Sequence, residues 1–377
     1  MTAVLSLRLI ADDLTGALDS AASFACSSAP VSVLWEFAEV PDGPLALSTE
    51  SREVSVTEAR VRTAAAALAL TRGAGDALVF KKIDSLLRGH PMPELAAVIE
   101  AMRPERVVIA PAHPALGRVT RGGRQYVRDP RTGEVARIGV DLAADLGALG
   151  FVTTGERDEG CEGPEILLID VESEAQLGAA VMRERARGGR VLWCGSGGLA
   201  EALAGVSRRY LSVPPGRILM VVGSDHPVAA AQIRTLHNAA PGCVIPFGAK
   251  DAAEDLAASV EASIARCGVA VAAARLPNLL RKEAAGLIAE RVAGLLSRVS
   301  QPDVLYASGG ETLRAVCDAL GAQGLSAEGF VGPGIPLSRV RAGRWAGSPV
   351  ISKSGAFGDD MTLVRLLGLS GPSSSLP

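Results

Sequence analysis

Aromatic residues are scarce: Trp 3, Tyr 3 and Phe 7 in a chain of 377 residues, 3% in all. That poverty argues against a protein that grips single strands by stacking bases. An excess of one charge is missing too. Lys and Arg number 38 against 41 Asp and Glu, a formal net charge of −3, so no global field attracts phosphate backbones. No apolar run reaches the ~18–20 residues of a membrane span. The opening, MTAVLSLRLIADDLTG, meets Asp12 and Asp13 too early for a secretory leader and lacks an A-x-A exit, so it reads as a strand and points to the cytoplasm. The six cysteines, Cys26, Cys161, Cys194, Cys243, Cys267 and Cys317, never stand as C-x-x-C or at metal-ligand spacing from a histidine; they read as small hydrophobes in a reducing compartment. Neither G-K-[ST] nor G-x-G-x-x-G occurs, which excludes a Walker A loop and a dinucleotide fingerprint. With 48% apolar residues, 42 Gly and 22 Pro, collagen, coiled coil and disorder are excluded as well.

What is present has an α/β rhythm. Short apolar runs recur at Val4–Ile10, Val31–Leu34, Ala77–Phe80, Val107–Ile109, Ile166–Ile169, Val191–Cys194, Ile218–Val222, Val269–Ala272 and Val304–Tyr306. Helix-like stretches lie between many of them: Thr57–Leu70, Met92–Met102, Glu174–Ala186, Val228–Asn238, Ala252–Arg266 and Leu280–Val299. Strands alternating with helices of that length predict parallel βαβ units. Gly117–Gly160, rich in Gly, Arg and Thr, breaks the rhythm and predicts a loop with a small hairpin, either a surface excursion or a substrate lid. The prolines of LSVPPG, Leu211–Gly216, mark a joint that divides the chain into residues 1–213 and 214–377. The tail SGPSSSLP reads as frayed.

Six stretches carry groups suited to chemistry. In IADDLTGALD a strand ends in Asp12-Asp13 and a helix follows. Ligands of open α/β sheets gather at such strand ends, where paired carboxylates can take a hydroxyl proton, hydrogen-bond a polyol or hold Mg2+; alternatively Asp13 only caps the helix. In FKKIDSLLRGHP, Lys81, Lys82 and Arg88 interleave with Asp84 and Ser85, a set for a small anion with hydroxyls, or a self-neutralising turn. APAHPALGRVTRGG brings His113, Arg118, Thr120 and Arg121 on one loop. Three further strand-to-helix turns, at Gly223-Ser224, at Ser308-Gly309-Gly310-Glu311-Thr312 and at Lys353-Ser354-Gly355, expose backbone N–H groups to which a phosphate can bind. Lys353 is placed to meet such a phosphate, and Gly355 and Gly358 to wrap a nucleotide.

Taken together, these stretches resemble the four-carbon acid sugar kinase family, in the family's order and across both halves of the chain. IADDLTGALD is similar to its A-D-D-x-T-G-A opening, KKIDSLLRGH to its K-x-D-S-T-L-R-G block with Leu86 in place of Thr, and PAHPALGRVTRGG to its P-A-x-P-x-x-G-R-x-T-x-G-G block. SGGET and KSGAFG resemble its nucleotide-side motifs. The resemblance implies two α/β domains with largely parallel sheets facing each other across a cleft: an acid-sugar domain over 1–213 and a nucleotide domain over 214–377. It implies ATP and Mg2+ as cofactors. On the acid sugar it implies Asp12, Ser51, Arg52, Lys82, Asp84 and Ser85; on ATP it implies Ser224, Gly309, Gly310, Glu311, Thr312 and Gly355. The chain looks short for the family.

Phosphoryl transfer needs positioning and charge stabilisation more than covalent chemistry. The acid beside the accepting hydroxyl would be Asp12, Asp13 or Asp84, with Asp12 and Asp84 the first candidates. The cation for the sugar carboxylate would be Lys82, Arg52 or Arg88. Mg2+ would bridge ATP phosphates and take few protein ligands, so no residue is assigned to it. The expected partners are a small sugar acid and ATP, with neither nucleic acid nor membrane; a homodimer stays open. The alternative is a sugar-acid sensor of the same fold without catalysis.

Overall fold

The computed structural model describes residues 6–25, 29–37, 40–71, 77–129, 132–153, 163–205, 209–276 and 281–369. The chain forms two compact units, Met1–Arg208 and Arg209–Pro377.

In the first unit, β1 (Leu7–Ala11), β2 (Val31–Leu34), β3 (Leu45–Ser48), β4 (Leu78–Lys82), β5 (Arg106–Ala110), β9 (Glu165–Leu168) and β10 (Val191–Gly195) make an all-parallel sheet in the order β2-β3-β1-β4-β10-β5-β9. Helices cover both faces, so β1, β2 and β3 are buried along their whole length, the polar Arg8, Ser32 and Ser48 included. On one side α2 (Val56–Thr71), α3 (Pro91–Met102) and α4 (Leu142–Ala148) pack through Leu70, Leu95, Val98 and Leu146 onto Ile10, Leu47, Val107 and Leu192. On the other side lie α1 (Leu14–Phe24), α5 (Glu174–Ala186) and α6 (Gly197–Ala204), with α6 against both α1 and α5. Register aligns the carboxyl ends: Ala11 stands beside Ser48 and Lys82, Lys82 beside Gly195, and Gly195 beside Ala110. Everything that follows these residues therefore emerges on one edge.

The stretch expected to be a loop with a small hairpin is more ordered than that. β6 (Arg118–Arg121), β7 (Arg124–Arg128) and β8 (Val135–Asp141) form an antiparallel sheet that leads into α4. The Asp170 carboxylate accepts from Gly122 N and Gly123 N, at 2.6 and 2.9 Å, and so pins the β6–β7 turn. Most of β7 is only partly buried, so the sheet needs no apolar run, the signal on which the strand reading relied.

The second unit contains β11 (Ile218–Val222), α7 (Pro227–Ala239), β12 (Val244–Phe247), α8 (Ala253–Cys267), β13 (Val269–Ala274), α9 (Arg281–Arg298), β14 (Val304–Ser308), α10 (Gly310–Ala319), β15 (Gly324–Gly332), β16 (Ile335–Arg341), β17 (Pro349–Lys353) and α11 (Thr362–Leu366). The sheet runs β12-β13-β11-β14-β17 in parallel and ends in antiparallel β16 and β15. Val222, Ser308 and Lys353 lie side by side at its carboxyl edge. Ahead of the two prolines, Arg209 O accepts from Phe330 N and Leu211 N donates to Phe330 O, at 2.9 and 2.7 Å, so the chain joins the second unit before the proline joint begins.

Among the described residues no helix is long and apolar enough to cross a membrane. Cys194, Cys243 and Cys317 are buried thiols, whereas Cys267, expected inside, is exposed. Cys26, Cys161, Leu280 and the tail from Ser370 lie outside the described residues.

Candidate active site

At the carboxyl edge of the first unit's sheet, β1 delivers two carboxylates with different tasks. Asp13 caps α1: its backbone is extended (φ −142°, ψ 158°) and Oδ1 accepts from Gly16 N at 2.8 Å, an arrangement worth ~1 kcal/mol to a helix. Asp12, buried, is gripped by Arg52, which donates from Nε to Oδ2 at 2.6 Å and from Nη2 to Oδ1 at 2.9 Å. The third Arg52 donor, Nη1, reaches Asp13 Oδ2 at 2.5 Å. Arg52 is held in place because Thr49 N and Ser51 N continue the strand pairing onto Ala11 O and Asp12 O, both at 2.9 Å. Gly89 closes the other side. Its φ of +78° suits glycine, and a Cβ there would stand 3.3 Å from both Arg52 Cγ and Asp12 Oδ2.

The turn after β4 supplies the remaining charges. Asp84 Oδ2 accepts from Leu86 N (3.1 Å), Arg88 N (3.3 Å) and Arg88 Nε (2.9 Å), and Oδ1 accepts from Arg88 Nη2 at 2.7 Å. Lys82 is 6% exposed, and its ammonium has no hydrogen-bond or ion-pair partner among the described residues. It lies over the first turn of α1: a Cβ on Gly16 would be 3.3 Å from Lys82 Nζ and 2.6 Å from Asp13 Oδ1. Lys81, the neighbouring residue, alternates to the other face of the strand and pairs with Glu94 of α3 at 2.7 Å. Ser51 also turns inward, donating to Glu94 Oε1 at 2.7 Å and sharing a 2.6 Å hydrogen bond with Thr49 Oγ1; its side chain supports the interior and does not face the edge.

The charges tune one another. Burial alone would raise all three acids. At Asp12 the Arg52 guanidinium outweighs burial and the carboxyl is held below its usual value. At Asp84 hydrogen bonds from Arg88, with Arg52 behind them, hold it well below. At Asp13 burial, reinforced by the Asp12 charge, outweighs Arg52, and the carboxyl is raised. Arg118 lies further out within reach of the Asp84 and Arg88 charges. One of its terminal nitrogens donates to Leu116 O, while its Nε is buried without a partner.

Sequence reasoning did not single out Glu94 or Gln125. Gln125 is fully buried; its Nε2 donates to Ser85 O (3.1 Å) and Pro111 O (3.2 Å), and its Oε1 accepts from Thr120 Oγ1 at 2.7 Å. It thus fastens the β6–β7 hairpin to the Lys82–Arg88 turn. Of the loop residues expected to carry chemistry, Thr120 is buried in that bond, Arg121 pairs with Glu172, and His113 is buried 3.8 Å from Glu201. Neither Glu94 nor Gln125 carried a signal in the sequence: Glu94 stands in the first turn of α3, where an acid is ordinary, and Gln125 stands in the short strand β7 between charged and polar neighbours.

In the second unit, three strand ends converge. A Cβ on Gly355 would lie 2.0 Å from Ser224 Oγ, and one on Gly309 would lie 3.3 Å from Thr312 Oγ1 and 3.6 Å from Ser224 Cβ. Ser224, Gly309, Thr312 and Gly355 therefore share one small region. Gly310 opens α10, whose cap, Gly309, supplies no side-chain acceptor to the first N–H groups. Glu311 lies in the first turn and is exposed. Lys353, expected to point at a phosphate, instead turns under the loop: Nζ donates to Ser354 O (2.8 Å) and Phe357 O (3.0 Å). Gln232 of α7 joins it, donating to Phe357 O and Asp359 O at 3.0 and 2.9 Å. Burial lowers the Lys353 pKa to about 8.

The family model described as a sugar-binding N-terminal domain matches residues 7–138, and the one described as a nucleotide-binding C-terminal domain matches residues 219–363. The chain is 30% identical to a D-threonate kinase of Bordetella bronchiseptica over 95% of its own length and 96% of that protein. It is 31% identical to a D-threonate kinase of Cupriavidus necator over the same shares of the two chains. A D-erythronate kinase of Heliobacterium modesticaldum is 28% identical over 93% of this chain and 94% of its own. A solved Salmonella typhimurium structure, described as a tRNA synthase, has the same fold, with a TM-score of 0.74 at 22% identity over 96% of this chain and 98% of that one. So does a Haemophilus influenzae protein, with a TM-score of 0.68 at 19% identity over 96% and 99%. The paired domain matches and the full-length kinase relatives put the conclusion beyond the motifs alone: the chain belongs to the four-carbon acid sugar kinase family.

Proposed function

We propose that this protein transfers the terminal phosphoryl group of ATP to a hydroxyl, the terminal one, of a four-carbon sugar acid such as threonate, erythronate or a 3-oxo-tetronate. The observation that carries the reading is Lys82, a largely buried side chain whose ammonium has no hydrogen-bond or ion-pair partner among the described residues, beside Asp13 at the sheet's carboxyl edge. An incoming carboxylate gives that ammonium a charge-assisted hydrogen bond. Arg88 and Arg118 are the further cations for the same carboxylate. The printed names of the relatives, D-threonate and D-erythronate kinase, support the same substrate class.

ATP belongs to the second unit in this reading, over Ser224, Gly309, Gly310, Thr312 and Gly355, where backbone N–H groups and the start of α10 favour phosphate. Glu311, in the first turn of α10, is the remaining candidate for a nucleotide contact. Mg2+ would neutralise charge on the phosphate oxygens. Among the described residues no three His, Cys, Asp or Glu side chains converge on one point, which suits an ion that arrives on the nucleotide and keeps water and phosphate as most of its ligands. An ATP-dependent reaction on a sugar acid fits the cytoplasm.

The test is an ADP-release assay over C4 to C6 sugar acids with ATP and Mg2+, paired with thermal shifts by ATP·Mg2+, NAD and each acid. Turnover of a C4 acid and a shift with ATP but not NAD are expected. An acid that binds without turnover in the presence of ATP would replace the kinase by a sensor.

A further inference from the structure

Resting on the kinase reading above, we propose that Asp13 is the catalytic base, and that Asp12 and Asp84 hold the cations around it. In the step, the substrate O–H bond breaks, the proton passes to the Asp13 carboxylate, and the freed electron pair forms the new bond to the γ phosphorus of ATP. The bond from that phosphorus to the β–γ bridging oxygen breaks, and its electrons leave with ADP.

The assignment follows from acceptor capacity and access together. A carboxylate offers about four lone-pair sites. Asp12 accepts one bond on each oxygen, both from Arg52. Asp84 accepts four hydrogen bonds, two from backbone N–H groups and two from the Arg88 guanidinium. Asp13, like Asp12, accepts one bond on each oxygen, from Gly16 N and from Arg52 Nη1, so capacity sets Asp12 and Asp13 apart from Asp84, and access separates Asp13 from Asp12. Asp13 is the most accessible of the three, with 22% of its side chain exposed against 5% for Asp12 and 10% for Asp84.

Proton affinity runs the same way. A base must gain from protonation in the transition state. Asp12 and Asp84 are each neutralised by an arginine and held below the usual carboxylate range, whereas Asp13 is raised. The charges facing Asp13 are Asp12 at the end of β1, Arg52 after β3, and Lys82, with Arg88 beyond it, after β4. The helix-capping bond fixes the Asp13 carboxylate, which therefore does not have to be positioned by the substrate. Lys82 reaches the same space over Gly16, so the group that takes the sugar carboxylate and the group that takes the proton flank one small volume, a fit for a short acid.

The experiment compares Asp13→Asn and Asp12→Asn in the full chain. Asn caps helices as well as Asp does, so Asp13→Asn keeps α1; circular dichroism and the ATP-induced thermal shift verify this. For Asp13→Asn, kcat is expected to fall ~10²–10⁴-fold, with KM for the sugar acid changed only a few-fold and the acidic limb of the kcat–pH profile abolished. Asp12→Asn is expected to retain that limb at whatever activity remains. A folded Asp13→Asn variant with kcat within threefold of wild type, or with the acidic limb unchanged, overturns the assignment while leaving the kinase intact. A wild type that releases no ADP with any C4 acid overturns the kinase reading and the base with it.

Discussion

The Lys81 ammonium and the Glu94 carboxylate meet at 2.7 Å with side chains 0% and 1% exposed, one residue behind the unpaired ammonium of Lys82. Two adjacent lysines at one strand end thus have opposite fates: one is neutralised in the interior, the other stays available at the edge.

Removing one member of the buried pair should be costly. Lys81→Met leaves Glu94 buried with Ser51 as its one remaining side-chain donor among the described residues, and should lower the unfolding free energy by about 3–5 kcal/mol, measured by urea denaturation. Burial lowers the Lys81 pKa, but Glu94 and then Asp12 outweigh burial, and the net direction is up. Its stabilisation is therefore complete below the ordinary lysine value of 10.5 and is lost only as pH rises through the folded value.

Lys353 has the opposite sign. Its pKa falls from 10.5 to about 8 in the folded chain, so between those values the unfolded chain holds the proton and the native one does not. Stability from this group should rise across that window, by about 3 kcal/mol in full. Comparing wild type with Lys353→Met by unfolding at pH 7.5 and 10 isolates it: the variant should lack this rise.

Gly355→Ala should damage nucleotide binding. The added methyl would lie 2.0 Å from Ser224 Oγ and 2.7 Å from Ser224 Cβ, so the loop has to move away from the other two strand ends. We expect a folded protein whose ATP affinity, read from thermal shift titration, drops about tenfold or more; an unchanged affinity would remove Gly355 from the nucleotide region.

Lys82→Ala should act on binding. A hydrogen bond to a charged group contributes about 1.5–3 kcal/mol, so KM for the sugar acid should rise about 10- to 100-fold with kcat within a few-fold. In the free protein the change removes no hydrogen bond or close ion pair, only the attraction of Lys82 to Asp12, Asp13 and Asp84, so it should cost less stability than Lys81→Met. Steady-state kinetics and urea denaturation check the two halves of this expectation.

The sequence alone determined the alternation of strands and helices. Glu174–Ala186 and Ile218–Val222 have the bounds read from their residues, because apolar runs buried on both faces and capped helices write their own limits. It also placed Asp12, Asp13, Lys82 and Asp84 at strand ends, and the motif order carried the family. It did not reveal β15 and β16, whose glycines and alternating polar residues lack a continuous apolar run. Which of two neighbouring lysines meets the substrate was left to the pleat, which sends Lys81 to α3 and Lys82 to the edge. Which acid keeps room for a proton depends on where Arg52 and Arg88 reach, and Arg52 lies 40 residues from Asp12 in sequence. Lys353 turned inward because Phe357 and Ser354 offered carbonyls beneath the loop. Local pattern sets an element's existence and its exposed end; the partner of a charged side chain is chosen by distant chain brought alongside it, and only tertiary structure supplies that.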